Sequence, residues 1–228
     1  MRETQEALWQ RYRLTLPAYT YVDAARYAGI PTKTVSNWFR GAYSLGHTMH
    51  PVFGEVPRDG LSYLQLVEVA FVAEMRRVRR LKLSALRTAY DHVRTELGVE
   101  YPFARERFLT DGTDLFIAAL DDPEVVVSAS VPGQRAWRAA IEACAHSFDY
   151  INHLALRWHP MGRDFRIIID PRISFGRPTI EDTGIPTEAI ADRWAAGEEV
   201  ESLVDDFRLS REQVKDALWF EKKIRRAA

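Results

Sequence analysis

Between Lys33 and Arg40 the chain interleaves Lys33, Thr34, Ser36, Asn37 and Arg40 with Val35, Trp38 and Phe39. Asn and Arg each make paired hydrogen bonds to adenine or guanine edges, and Lys and Ser reach phosphates or bases. The chemistry on offer is nucleic-acid reading, with the three apolar residues as the buried face of one helix. Groups suited to catalysis do not assemble in this way. Asp111, Asp114, Asp121 and Asp122 fall in turn-like sequence, where Asp favours bends, and miss the spacing of a calcium loop. His47 and His50 lack a third ligand nearby and read as solvent-facing or DNA-adjacent. With no nucleophile and base pair, no phosphate-cradling Gly loop and no metal-ligand spacing, neither an enzyme nor a metal or other cofactor is expected.

Composition narrows the classes. The 228 residues, 46% hydrophobic, suffice for one large domain or two to three small ones. Lys and Arg number 31 against 32 Asp and Glu, so any nucleic-acid contact comes from local patches. Cys144 is the sole cysteine, which excludes an internal disulfide and fits a reducing compartment. No apolar run approaches the roughly 18–20 residues of a membrane span. Met1 to Arg13 is charged and carries no apolar secretion segment, so a cytoplasmic protein is expected.

The elements that position these residues follow from local signals. Thr20 is an N-cap, and Val22, Ala24, Ala25 and Ala28 keep helical spacing up to Gly29, a helix-ending residue. Pro31 restarts the chain and Thr32 can cap a second helix, Lys33 to Phe39. Helix, Gly-containing turn, helix is the grammar of a helix-turn-helix, whose second helix enters the major groove. Gly41 to Gly60 reads as a β-hairpin or wing. An amphipathic helix capped by Ser62 follows, then another from about Ser84 to Leu97. Between them stand Arg76, Arg77, Arg79, Arg80 and Lys82. They are either a phosphate clamp beside the recognition helix or a solvated helix end; the neighbouring unit favours phosphate contact.

The middle segment predicts a hairpin at Asp111-Gly112, a short strand at Val125–Val127 and a helix from Gly133 to Ala145. Asp149, Tyr150, Trp158 and Pro160 then lie in an extended connector. A strand at Arg166–Ile169, a second from Gly176 to Ile180 and a turn at Thr183-Gly184 precede three helices. The helices begin near Pro186 or Thr187, near Val200, and after Ser210, where Glu212 or Gln213 falls in the capping-box region. The fold class is mainly α with small β elements (α+β). The organisation is a winged helix-turn-helix at residues 1–98, a mixed connector at 99–164 and a second helix-turn-helix unit at 165–228.

Two resemblances add to this. Helix-turn-helix, wing and helix pair over about Ala18 to Gly98 resemble the MerR family of winged-helix regulators. The long dimerising helix and effector domain of that family are missing, so a small-molecule sensor is not expected. The string Ile168-Ile-Asp-Pro, Gly176-Arg-Pro-Thr-Ile, Thr183-Gly-Ile-Pro-Thr and Leu209-Ser-Arg-Glu-Gln-Val resembles VapB-type antitoxins of the domain-of-unknown-function family 433. Members usually carry Arg where this chain has Gly184; Arg177 is the nearest substitute.

That resemblance implies an antitoxin of a type II toxin-antitoxin system. It would neutralise a PIN-like ribonuclease toxin and repress its own operon by binding operator DNA. The alternative is a stand-alone MerR-like transcription regulator without a toxin. Either role expects a homodimer on two half-sites, with no membrane and no small-molecule substrate. Operator contacts fall to Lys33, Thr34, Ser36, Asn37, Arg40, Arg76, Arg77, Arg79 and Arg80, or alternatively to Arg211, Gln213 and Lys215. Toxin or dimer contacts fall to Arg177, Trp219, Phe220, Lys222, Lys223, Arg225 and Arg226, on charge complementarity with an acidic nuclease site.

Overall fold

Helix α1, Tyr21–Ala28, begins where two residues satisfy each other's amides. The Asp23 N–H donates to Thr20 Oγ1 at 3.1 Å, and the Thr20 N–H donates to Asp23 Oδ2 at 2.9 Å. This reciprocal box meets donors that a helix N-terminus otherwise leaves open. Gly29 closes the helix at φ 68°, a left-handed conformation that costs glycine little. Helix α2, Thr32–Arg40, follows directly. Thr32 does not cap it: Pro31 is the N-cap, and no side chain bonds the free amides. The ring-fixed φ of Pro31, −64°, starts the helix instead.

The computed structural model describes residues 14–44, 47–54, 56–79, 83–105 and 134–227. After α2 comes an antiparallel ribbon of β1, Ala42–Ser44, and β2, His47–Met49. Helix α3, Tyr63–Arg79, opens on a second reciprocal box between Ser62 and Gln65. Helix α4 spans Leu83–Leu97 and leads into a tight turn at Pro102–Ala104. The expected hairpin at Asp111-Gly112, the strand at Val125–Val127 and the residues Asp111, Asp114, Asp121 and Asp122 lie outside the described residues.

Helix α5, Gln134–Ala145, is followed by a hairpin of β3, Phe148–Ile151, and β4, Leu154–Trp158. This corrects the extended connector expected there. Asn152 and His153 make the turn with φ 51° and 64°, a left-handed pair in which Asn and His are among the more tolerated side chains. In the last part, β5, Ile167–Ile168, pairs antiparallel with β6, Thr179–Ile180. The second strand is shorter than expected, because Ser174–Gly176 winds into a tight turn first. Helices α6, Thr187–Ala195, α7, Val200–Phe207, and α8, Arg211–Ala227, complete the chain's described part. Ser210 caps α8 in a box with Gln213, through bonds of 3.1 and 2.8 Å.

The architecture is mostly helical with three small antiparallel sheets among the described residues. No described helix is long and apolar enough to cross a membrane. One core gathers Val35, Phe39, Leu66 and Val93 from the N-terminal helices with Ile141, Phe148 and Leu156 from the middle segment. A second gathers Ile167, Ile180, Ile190, Leu203, Val214 and Phe220. Tyr27 of α1 packs against both.

Polar contacts stitch the seam between the cores. The Asp170 carboxylate, fully buried, accepts from the Arg172 N–H at 2.9 Å and from its guanidinium at 2.7 and 3.0 Å. Arg157 of the hairpin reaches Asp170 at 3.5 Å and Glu181 at 3.6 Å. The buried Glu221 of α8 accepts from Thr187 Oγ1 at 2.6 Å and pairs with Arg26 of α1 at 3.4 Å. Such bonds offset part of the cost of burying these groups, and for Glu221 burial still outweighs the Thr187 bond and the Arg26 charge and raises its carboxyl. The Asp-Pro and Thr positions that carry the family resemblance are therefore structural clamps.

A different buried acid sits beneath α2. Glu68 of α3 is 1% exposed and accepts a hydrogen bond from the Phe103 N–H at 3.1 Å. Burial pushes its carboxyl from an ordinary 4.5 up to about 8, against the opposing bonds from Tyr90 and Phe103. Between these values the folded chain holds a proton that the unfolded chain releases. Stability therefore falls as pH rises from roughly 5 to 8, on the order of a few kcal/mol. Glu68→Gln keeps the acceptor for Phe103 and cannot ionise. Thermal unfolding across that range is expected to show a smaller fall for the variant, with the variant more stable at the alkaline end.

Candidate nucleic-acid and partner interfaces

The apolar face of α2 is seated as expected: Val35, Trp38 and Phe39 are at most 3% exposed. Phe39 packs 4.8 Å from Phe53 and 5.7 Å from Tyr21, ring centre to ring centre. The chain leaving the ribbon locks onto the same helix, since the Val52 and Phe53 N–H groups both donate to the Trp38 carbonyl. This anchoring turns the opposite face outward. Lys33 and Arg40 are exposed, and Thr34, Ser36 and Asn37 are half-buried. The Arg40 guanidinium rests 5.3 Å from the Tyr21 ring centre, which orients it without neutralising it. Tyr43 of the ribbon, 76% exposed, is an aromatic that the sequence reading did not assign.

The basic cluster divides. Arg77 forks onto Glu74 one turn away at 2.8 and 3.1 Å, so much of its charge is answered locally. Arg76 and Arg77 are exposed on α3. Arg80 and Lys82 and the side chain of Arg79 lie outside the described residues.

The C-terminal candidates also separate. Trp219, Lys222 and Arg225 of α8 come together along a groove of about 940 Å³ between α6 and α8. Lys215, expected on a DNA-reading face, lines the same groove. The opposite wall carries Trp194, which the sequence reading missed. Trp194 and Trp219 are 54% and 51% exposed, and Phe165 stacks on Trp219 at 5.4 Å. Arg225 is held by Asp192 at 3.1 Å, and the Lys223 ammonium sits 5.7 Å from the Trp219 ring centre.

Phe220 is a correction. It is 1% exposed and fills the second core, so it supports the groove from behind and offers no surface to a partner. Arg211 pairs with Glu201 at 2.8 Å, and the Gln213 side chain is spent in the Ser210 cap. Arg177 lies outside the groove lining, in the Ser174–Gly176 turn region, where it donates to the Ser174 carbonyl at 3.3 Å. The same turn presents Phe175, 89% exposed at φ 58°, another missed residue. The side chain of Arg226 lies outside the described residues.

Both tryptophans of the groove, and Asp170, Arg172 and Thr187 of the clamps, lie in one segment. Residues 167–220 match the family described as "Protein of unknown function (DUF433)". That match ends just past Trp219 and covers both tryptophan walls. Similarity beyond it extends along the chain. The chain is 28% identical over 223 residues to "Uncharacterized protein Rv2308" of Mycobacterium tuberculosis, covering 92% of each. It is 23% identical over 226 residues to that organism's "Putative antitoxin VapB45", covering 90% of this chain and 94% of that protein. The crystal structure of Rv2018 from the same organism superposes with a TM-score of 0.69 at 19% identity, covering 90% of this chain and 99% of that one. That likeness extends the fold across both cores.

Proposed function

We propose that this chain is the antitoxin of a type II toxin-antitoxin pair, a binding protein without catalysis. Its N-terminal unit is a MerR-like winged helix-turn-helix that binds operator DNA as a homodimer and represses its own operon. Its C-terminal groove engages a PIN-like ribonuclease in the cytoplasm. The observation that carries this reading is the groove: two half-exposed tryptophans of the DUF433-matching segment line it from α6 and α8, with Lys215, Lys222 and Arg225 beside Asp216 and Glu221. Half-exposed Trp beside Arg is the composition of an interface hot spot rather than of ordinary surface. The antitoxin name of a relative aligned over 90% of this chain supports the nature of the partner.

On the DNA side, α2 is the reading helix and α8 is not. Arg211 is paired, Gln213 is a cap, and Lys215 faces the groove, whereas Lys33 and Arg40 stand exposed. Fluorescence anisotropy on the chain's own promoter fragment tests this. Asn37→Ala and Arg40→Ala are each expected to weaken specific binding by about 1–3 kcal/mol, roughly 5- to 150-fold. Lys33→Ala is expected to lower the salt dependence by about one phosphate contact. Full-strength binding by these variants, with loss in Arg211→Ala and Lys215→Ala, would move the reading to α8.

A further inference from the structure

The groove between α6 and α8 is walled by helices, and that limits what can fill it. Ala191, Trp194 and Ala195 of α6 and Leu218 and Trp219 of α8 give it a mostly apolar lining. Inside a helix the backbone N–H and C=O groups bond to each other. At the end of α6 the carbonyls of Asp192, Arg193 and Trp194 are taken by the N–H groups of Ala196 and Gly197. An extended segment laid in the groove would therefore find no backbone partners. Each of its buried amides would cost roughly 1–3 kcal/mol. A helix arrives with its backbone already bonded and avoids that cost.

The dimensions suit one helix. Ala191 and Ala195 stand one turn apart on α6, so this stretch of the wall is shallow enough for a second axis to approach to about 8–10 Å. The lining on α8 runs from Lys215 to Arg225, about 15 Å along the axis at 1.5 Å per residue.

The charges select among helices. Lys215, Lys222 and Arg225 line the groove with Asp216 and Glu221. Arg225 is engaged by Asp192 at 3.1 Å. Glu221, 2% exposed, is held by Thr187 and Arg26. Asp216 accepts from the Arg166 N–H at 3.5 Å. Lys215 and Lys222 are exposed, two helical turns apart, and neither has a carboxylate at ion-pair distance among the described residues. A second copy laying its own α8 here would set these lysines against their like. A nucleic-acid strand would meet Asp216 and the exposed Asp192 at the rim.

We propose that the groove receives one amphipathic helix of the toxin, about three turns long, with an acidic flank. Its apolar ridge lies against Trp194, Leu218 and Trp219. Its carboxylates, about seven residues apart, meet Lys215 and Lys222. Resting on the antitoxin reading, the assignment gives the toxin's contact with this groove to a single helix.

The test uses the full chain and the purified protein encoded by the adjacent reading frame. Benzoylphenylalanine replacing Trp194 is photo-cross-linked in their complex, and mass spectrometry identifies the partner segment. That segment, synthesised as a peptide, is the probe for calorimetry and circular dichroism. It is expected to carry Asp or Glu beside an apolar repeat of three and four residues, to bind the full chain and to be helical when bound. Lys215→Glu with Lys222→Glu changes exposed side chains, so the melting temperature stays near that of the native chain. That variant is expected to lose at least tenfold in peptide affinity, and a peptide with its facing carboxylates changed to Lys is expected to regain it. A cross-link to an extended or loop segment, a peptide that binds without helix, or undiminished affinity in the lysine variant would each overturn the proposal and leave the antitoxin reading in place. A cross-link between two copies of this chain would replace it with self-association. Absence of any complex would sink both readings together.

Discussion

Replacing Gly176 by Ala is expected to lower the melting temperature by roughly 5–15 °C, from a loss of about 2–4 kcal/mol. A Cβ at this position would stand 2.0 Å from Tyr19 Oη and 2.9 Å from Tyr19 Cζ, inside any tolerable contact. Tyr19 cannot easily retreat: it is 4% exposed, with Tyr27 and Tyr63 each 6.4 Å away, ring centre to ring centre. The backbone adds a second cost, because φ is +74° there and a side chain in that region is strained by about 1 kcal/mol or more. The two causes separate in a double-mutant cycle. Among the described residues Tyr19 Oη has no hydrogen-bond partner, so Tyr19→Phe alone is expected to be near neutral or mildly stabilising. In the Tyr19→Phe background Gly176→Ala recovers only the part of the steric share due to the hydroxyl, because Cζ still stands 2.9 Å from the added Cβ, and it retains the backbone share. Thermal unfolding of the four proteins reads this directly. An unchanged melting temperature in Gly176→Ala would mean that the C-terminal turn does not dock on the helix-turn-helix as described.

The other large effect concerns the groove. Trp194→Ala and Trp219→Ala are each expected to weaken the complex with the toxin by about 2 kcal/mol or more, roughly 30-fold. Both rings are half-exposed in the free chain, so their removal leaves each core filled and shifts the melting temperature little. Phe165, stacked on Trp219, limits the conformations of that ring before binding, which lowers the cost of fixing it in an interface. Surface plasmon resonance on purified partner measures the loss, with thermal unfolding as the fold control. Undiminished affinity in both variants would remove the groove from the mechanism and direct attention to Phe175 and Arg177.

These expectations show which parts of the molecule are legible in a single sequence. Thr20, Gly29, Ser62 and Ser210 mark helix ends correctly, because capping is chemistry between residues three or four apart. The buried set Val35, Trp38 and Phe39 follows from helical spacing for the same reason. The β3–β4 hairpin was hidden because Asn152-His153 carries no glycine to announce a left-handed turn. Trp194 follows Ile190 by one helical turn, the spacing of a core position, yet it is half-exposed. Phe220 follows Ala217 by three residues, an inward spacing that the sequence offers and the second core fills, while its neighbour Trp219 stays half-exposed. The pairing of Arg77 with Glu74 was legible at its three-residue spacing, and it redirects one expected phosphate contact.

The measurement that tests the account most directly is co-expression with the protein encoded by the adjacent reading frame, followed by size-exclusion chromatography and a ribonuclease assay. The account predicts a stable complex in which nuclease activity is suppressed, and in which Trp194→Ala with Trp219→Ala restores that activity. A chain that elutes apart from that protein and leaves its activity untouched, while still binding its own promoter fragment, would contradict the antitoxin reading and leave a transcription regulator.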